Sequence, residues 1–452
     1  MTSVDKVHVV ADLIDRGPWS PMQKAAAVLA ACAVTLDGMD IQVLSLVVPQ
    51  IGRDWSLSKS SFALLFALSL VAVAAGTAMG GWLGDRFGRR RTIVLSVAWF
   101  GAFTLFMALS RSLPGLYAFR LLSGLGIGAA LPNAAAYIAE ITPLRVRTAA
   151  VSATIVCIPL GGVVGGLIGA EVLPVASWRT LILIAGVLPL VLAALLALVL
   201  PESPRFLATS GQSPAAVSIL RRFGIRIQAD AEFIAEPRQA DLPPEEQSLR
   251  SLLGPADLRN TLCLWAAFCF CMISVYLVFN WLPSLLSNLG LGPSAASKGL
   301  ATYNLYGIVG TLLLGIWMNR AGSRIPLLVA GAAALATALW LGLTVGSADR
   351  SLALFSFQIG AHGFFVNGVQ TALYAMAAQI YPTRLRSRGV AAASAIGRTG
   401  AVLSAFLGSR ALHHPASDYF FLLAAMMACA ALSIQMMNTH LPGAATTSAA
   451  EY

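Results

Sequence analysis

Twelve long apolar segments, interrupted once by a long polar stretch near the middle, leave this chain few folds to choose from. A helix needs about 20 apolar residues to cross a bilayer. Runs of that kind lie at 24–50, 60–84, 91–110, 115–139, 148–170, 178–200, 260–287, 296–318, 325–346, 351–380, 389–410 and 418–439. Only 11% of the residues are charged and 57% are hydrophobic, against roughly a quarter charged in soluble domains. The segments therefore read as membrane spans, and the expected fold is all-α and integral to a membrane. The polar stretch divides them six and six. This predicts an N-terminal tail over 1–23, a six-helix bundle over 24–200, a central loop over 201–258, a second six-helix bundle over 259–440 and a C-terminal tail over 441–452. Within the central loop, LRRFGIRI reads as a short amphipathic helix and DLPPEEQ as flexible linker.

The net charge of +10 rests on 30 Lys and Arg against 20 Asp and Glu. A nucleic-acid partner is one reading of such an excess, but its distribution fits membrane orientation. Twenty-one of the 30 fall in the loops on the side of the N-terminus, seven on the other side, and Arg120 and Arg398 lie inside spans. The positive-inside rule then puts both termini in the cytoplasm. About twenty residues of mixed polarity precede the first span, so no cleavable signal is expected. The six cysteines sit in apolar runs without metal-ligand spacing and read as small buried hydrophobes; no metal and no cofactor are expected. A phosphate-cradling loop with lysine is missing, which argues against an ATP-driven pump or any enzyme of that kind.

Asp37 and Asp40 interrupt the first span, in AVTLDGMDIQVLSLVVP. Three residues apart, their carboxyls leave a helix on nearly the same face. A carboxylate at membrane depth costs at least a few kcal/mol and is kept mainly where it moves protons or ions or holds a partner. The pair is the candidate proton-coupling site, with Asp40 the preferred member; a structural aspartate bonded to helix backbone or to an arginine is the alternative. After the second span, Gly81, Gly84, Asp85, Arg86, Gly88, Arg89 and Arg90 build a tight turn. Its glycines allow close approach and positive φ, and its aspartate can pair with arginine or cap a helix. GIWMNRAGSR follows the eighth span at the matching place, so the halves echo each other, as in secondary transporters built from repeats.

The turn GGWLGDRFGRRR resembles the signature loop of the major facilitator superfamily, and RLLSGLGIGAALPN in span four and PESPRFL after span six match the same superfamily. The resemblance covers nearly the whole chain and implies an alternating-access carrier of two pseudo-symmetric six-helix bundles. It also makes the first turn a conformational latch without substrate contact. Three further segments, LDGMDIQ, FNWLPSLL and NGVQTALYAMAAQIYPTRLRSRGVAAASAIGRTGA, resemble the aromatic acid:proton symporters, which import benzoate-type and hydroxyphenyl-type carboxylates into bacteria. That family's D-G-x-D pattern falls on Asp37 and Asp40. The chain departs from the pattern at Asn319, where an aspartate is expected, and this puts a charge relay in the second-half loop in doubt.

The complement to the acids is arginine. Its planar fork suits bidentate binding of a carboxylate, so Arg120 and Arg398 can each hold an organic acid or a membrane aspartate. Arg120 reads first as an ion-pair or relay partner and Arg398 as a substrate-carboxylate ligand. Asn280, Asn367, Gln370 and Tyr374 are candidate substrate-binding residues, the last three on one stripe by their spacing. Amides can meet ring hydroxyls and aromatics can stack on a ring. The expected function is secondary import of a small aromatic or related carboxylate by proton symport through a bacterial inner membrane, with substrate, protons and lipid as the only partners. A sugar or polyol porter and a multidrug exporter of the same superfamily are the alternatives.

Overall fold

The computed structural model describes residues 7–228, 231–233, 254, 258–346, 351–381 and 386–442. A two-residue strand β1 (Val7–His8) and a short helix α1 (Val10–Arg16) precede the first six long helices: α2 (Pro21–Asp54), α3 (Lys59–Phe87), α4 (Arg89–Leu109), α5 (Leu113–Ile141), α6 (Leu144–Val172) and α7 (Trp178–Val199). Next come α8 (Pro204–Thr209), α9 (Ser213–Arg222) and a second short strand, β2 (Glu232–Phe233). The other six long helices are α10 (Leu258–Asn288), α11 (Pro293–Ala321), α12 (Arg324–Thr344), α13 (Leu352–Ile380), α14 (Arg386–Ala411) and α15 (Ala416–Gln435). Among the described residues twelve helices are long and apolar enough to cross a membrane, one for each apolar segment. Several overrun the segment that announced them, as α2 does at 34 residues. Apolar counting measures the hydrocarbon layer, whereas a helix continues through the polar interface.

Contacts group the chain into two units, Met1–Ile41 with Val71–Gly161 and Ile182–Asp241, and Gln42–Leu70 with Gly162–Leu181 and Leu242–Tyr452. In the first unit α2 packs on α6, α3 on α5 and α4 on α7, through small residues. A Cβ at Gly128 would overlap the Val73 carbonyl, and one at Gly186 would press on Leu105. Such contacts are how membrane helices associate without a hydrophobic drive. Part of the expected N-terminal tail joins this unit. Val10 and Ile14 of α1 are buried with Leu220, Phe223 and Ile225 in one core with α2, α4, α5 and α7. Asp15 pairs with Arg147, and β1 runs parallel to β2.

The second unit repeats the three pairings as α10 with α14, α11 with α13 and α12 with α15. Gly363 lies under Tyr303 and Gly400 under Cys269, where a side chain would collide. The later part of α2 and the first part of α3 belong to this unit. Gln42 and Asn304 exchange amide hydrogen bonds of 2.7 and 3.2 Å, Phe66 meets Trp281 edge to face at 5.3 Å, and Lys59 donates to the Leu412 carbonyl. After α15 the backbone is tied down. Asn260 accepts from the amides of Asn438 and Thr439 and donates to the Thr439 hydroxyl. Ser323 donates its amide to the Leu441 carbonyl, and its hydroxyl accepts from the Leu441 amide.

Candidate functional site

Asp40 and Arg120 meet inside the first unit. The Nη1 of Arg120 donates to Oδ2 of Asp40 at 2.5 Å, with both side chains 1% exposed. The other carboxylate oxygen, Oδ1, accepts from the Thr104 hydroxyl at 2.6 Å, and Thr104 lies 3.1 Å from the Ser123 hydroxyl. α2 brings the acid, α4 the threonine, and α5 both the arginine and the serine. The glycine between the two aspartates explains how α6 comes so near. A Cβ on Gly38 would overlap the Ile158 carbonyl, so Asp37 and Asp40 flank the point where α6 backbone crosses α2. Asp37 is buried one turn before Asp40. Removing two charges from water is offset only by good geometry and full hydrogen bonding, and Asp40 has both. Arg120 holds the Asp40 carboxylate in this structure.

Arg398 and its neighbours form a group within the second unit. The Tyr374 hydroxyl bonds Ser394 and lies in the field of the Arg398 guanidinium, both on α14. Its ring packs edge to face on Phe268 of α10 at 4.9 Å, and the Gln370 amide reaches Met272 of α10. Gln370 and Tyr374 thus face α10 and α14. Asn367 turns elsewhere: its amide donates to the Gly363 carbonyl one turn back and presses on Gly307 of α11. The three share one stripe of α13, but at its own level Asn367 meets α11 while Gln370 and Tyr374 meet α10. Asn280 is buried on α10, and its amide nitrogen has no hydrogen-bond partner among the described residues.

The turn after α3 carries a network of charges. Gly88 has φ +100, a conformation open to glycine. Arg89 bonds Asp85 at 2.6 Å and Glu140 at 3.1 Å, and reaches Asn133. The Arg90 amide donates to Glu202, and the Ser203 hydroxyl to Glu140. Arg86 is exposed and stacks over Trp82, while a Cβ at Gly81 would meet open space. Glu140 and Glu202, which complete this network, were not picked out by spacing. Their only signal is an acid at the end of an apolar run, in AYIAEITP and PESPR.

The model of the Major Facilitator Superfamily matches residues 30–405. The chain belongs to the major facilitator superfamily. It is 32% identical over 412 residues to a gallate transporter of Pseudomonas putida, covering 90% of each chain. It is 31% identical over 399 residues to the 4-hydroxybenzoate transporter PcaK of Acinetobacter baylyi, covering 88% of this chain and 86% of that one. A 3-(3-hydroxy-phenyl)propionate transporter of Escherichia coli is 32% identical over 399 residues, covering 88% and 89%. Among solved structures, the xylose transporter XylE of E. coli superposes with a TM-score of 0.71 at 18% identity, covering 93% of this chain and 99% of that one. At that identity XylE speaks for the fold alone. This superfamily member is thus a transporter, not an enzyme, with its twelve spans in the major facilitator fold.

Proposed function

We propose that the chain imports a small hydroxylated aromatic carboxylate by proton symport, with Asp40 as the proton site and Arg398 as the ligand of the substrate carboxylate. The observation that carries this reading is the sealed Asp40–Arg120 ion pair, in a chain about a third identical to three transporters of such acids. Ionised, Asp40 holds Arg120; protonated, it loses the charge that does so. One proton thereby selects between two arrangements of α2 and α5, and a ligand or proton shifts a transporter only by such differential interaction. Asp37, on the same face, shares the proton-coupling role.

The group on α10, α13 and α14 suits the substrate. The fork of Arg398 fits a carboxylate in bidentate fashion, Phe268 and Tyr374 offer ring faces and edges, and Gln370 and Asn280 can meet ring hydroxyls. A buried donor without a partner, such as the Asn280 amide, is what a ligand oxygen would satisfy. Asn367 contributes through the α11–α13 seam. Gly81, Asp85, Arg86, Gly88, Arg89 and Arg90 serve as the conformational latch. The excess of Lys and Arg in loops on the N-terminal side supports cytoplasmic termini in the inner membrane of a bacterium. One anion carried with one proton is electroneutral, so about 1.4 kcal/mol per pH unit would drive it. A second proton would add about 2.3 kcal/mol per 100 mV of membrane potential.

The test is uptake into proteoliposomes under an inward proton gradient, screening labelled 4-hydroxybenzoate, gallate, aliphatic dicarboxylates and xylose. Accumulation of an aromatic acid is expected, falling at least tenfold in Arg398→Lys, since lysine cannot reproduce the fork. Accumulation of xylose with no aromatic acid taken up would contradict the reading and favour a sugar porter.

A further inference from the structure

We infer that Thr104 and Ser123 form a reversible hydroxyl switch that lets Asp40 gain and lose its proton while its Oδ1 and both hydroxyls stay partnered. The inference rests on the proton-symport reading above and extends it to Thr104, outside every segment quoted above, and to Ser123, which lies in RLLSGLGIGAALPN but was given no role there.

Asp40 offers no open oxygen. Oδ2 is held by Arg120, whose guanidinium can only donate. Oδ1 is held by Thr104 at 2.6 Å, and a hydroxyl can both donate and accept. A proton therefore enters at Oδ1. In the ionised state Thr104 donates to Oδ1, and Ser123, 3.1 Å away, can donate to Thr104. When a proton from solvent forms the new O–H bond at Oδ1, the carboxylic acid donates to Thr104. The Thr104 hydrogen then rotates to Ser123, and the Ser123 hydrogen turns to the helix carbonyl one turn back, the usual acceptor for a mid-helix serine. One proton is gained and one covalent O–H bond is made; everything else is a rotation of hydroxyls. Thr104 and Ser123 are 1% and 0% exposed, so water cannot substitute for either at low cost, and an unsatisfied group there would be penalised.

The charged and titratable groups facing Asp40 within the first unit are few. α5 contributes Arg120, and α2 contributes Asp37 one turn back. α4 has no charged residue beyond its arginines at 89–91. α6 brings Cys157, which lies against Thr35 and Cys32 of α2. Among the described residues Thr104 is the hydroxyl bonded to Asp40, so it is a positioning residue acting through Asp40.

The experiment is the pH profile of gradient-driven 4-hydroxybenzoate uptake in proteoliposomes, comparing wild type with Thr104→Val, Thr104→Ser, Ser123→Ala and Asp40→Asn. A hydrogen bond to a charged group is strong enough to move a titration by about one pH unit. Thr104→Val is expected to displace the pH of half-maximal uptake by that amount. Thr104→Ser should restore it, and Ser123→Ala should displace it less. If Asp40→Asn abolishes accumulation while the Thr104→Val profile superimposes on wild type, the hydroxyl switch is wrong and the proton site stands. If Asp40→Asn still accumulates substrate, the underlying reading fails. Should Thr104→Val not fold, as judged by its thermal unfolding in detergent, Ser123→Ala decides: a profile identical to wild type overturns the switch.

Discussion

Both carboxylate oxygens of Asp40 are bonded by residues from two other helices, Thr104 and Arg120, and this explains why a charge is tolerated so deep in an apolar helix. The pair with Arg120 is worth little against a well-packed apolar replacement, but breaking it leaves a buried charge alone, at about 3–5 kcal/mol. Arg120→Leu should therefore lower the thermal unfolding midpoint in detergent markedly, and Asp40→Leu/Arg120→Leu should regain much of the loss. Equal midpoints for the single and double variants would contradict this account of the ion pair. Asp37, Asp40 and Arg120 were legible in the sequence because charge is rare in apolar runs. Arg120 read first as an ion-pair partner, but that Asp40 is an acid it holds was not legible, since 80 residues separate them. Thr104 left no trace, and Ser123 drew no attention within RLLSGLGIGAALPN: hydroxyl residues are common in membrane helices, and only the fold shows that these two line up behind an acid. Asn367 shows the converse: the spacing gave its stripe, but only the packing shows that at its level α13 meets α11.

The two turns that echo each other in sequence are held by different chemistry. After α3, Gly88 turns the chain and Arg89 gathers Asp85 and Glu140. After α11, Gly322 turns it at φ +78, but Asn319 stands where a charge relay needs an acid, and the segment following α15 does the holding through Ser323 and Leu441. His440 sits in that segment, beside the Ser323 hydroxyl at 3.5 Å. Burial, reinforced by the charge of Arg324, pushes its pKa below the ordinary value of 6.5. A histidine with a depressed pKa favours the docked state fully above the free value and loses that contribution as pH falls below it. Hydrogen exchange at residues 438–441 should accordingly speed up, beyond its intrinsic dependence, as pH drops from 7 to 5, and His440→Gln should remove that acceleration. Protection that is flat across the range in the wild type would count against the docking account. The glycine turns could be read from sequence, but the docked segment could not. It contains no motif, and its bonds are largely to backbone.

The helices of each unit pair in the same three ways, which is how a chain of two related halves keeps its fold at low sequence similarity between them. Chain order predicted the spans and their number, because apolar length is a local property. It could not reveal that Gln42–Leu70 and Gly162–Leu181 group with the later helices; that depends on partners such as Asn304, Trp281 and Ser297, which no local pattern encodes. α2 itself belongs to both units: Asp40 lies at the end of its first part, and Gln42, bonded to Asn304, opens the second. If substrate and proton enter together, the inside of the vesicle reports it. Proteoliposomes enclosing a pH-sensitive dye and lacking any imposed gradient should acidify within when labelled 4-hydroxybenzoate is added outside, in step with its entry, and Asp40→Asn should abolish the acidification. Entry of the label into wild-type vesicles with no change in internal pH would contradict proton symport.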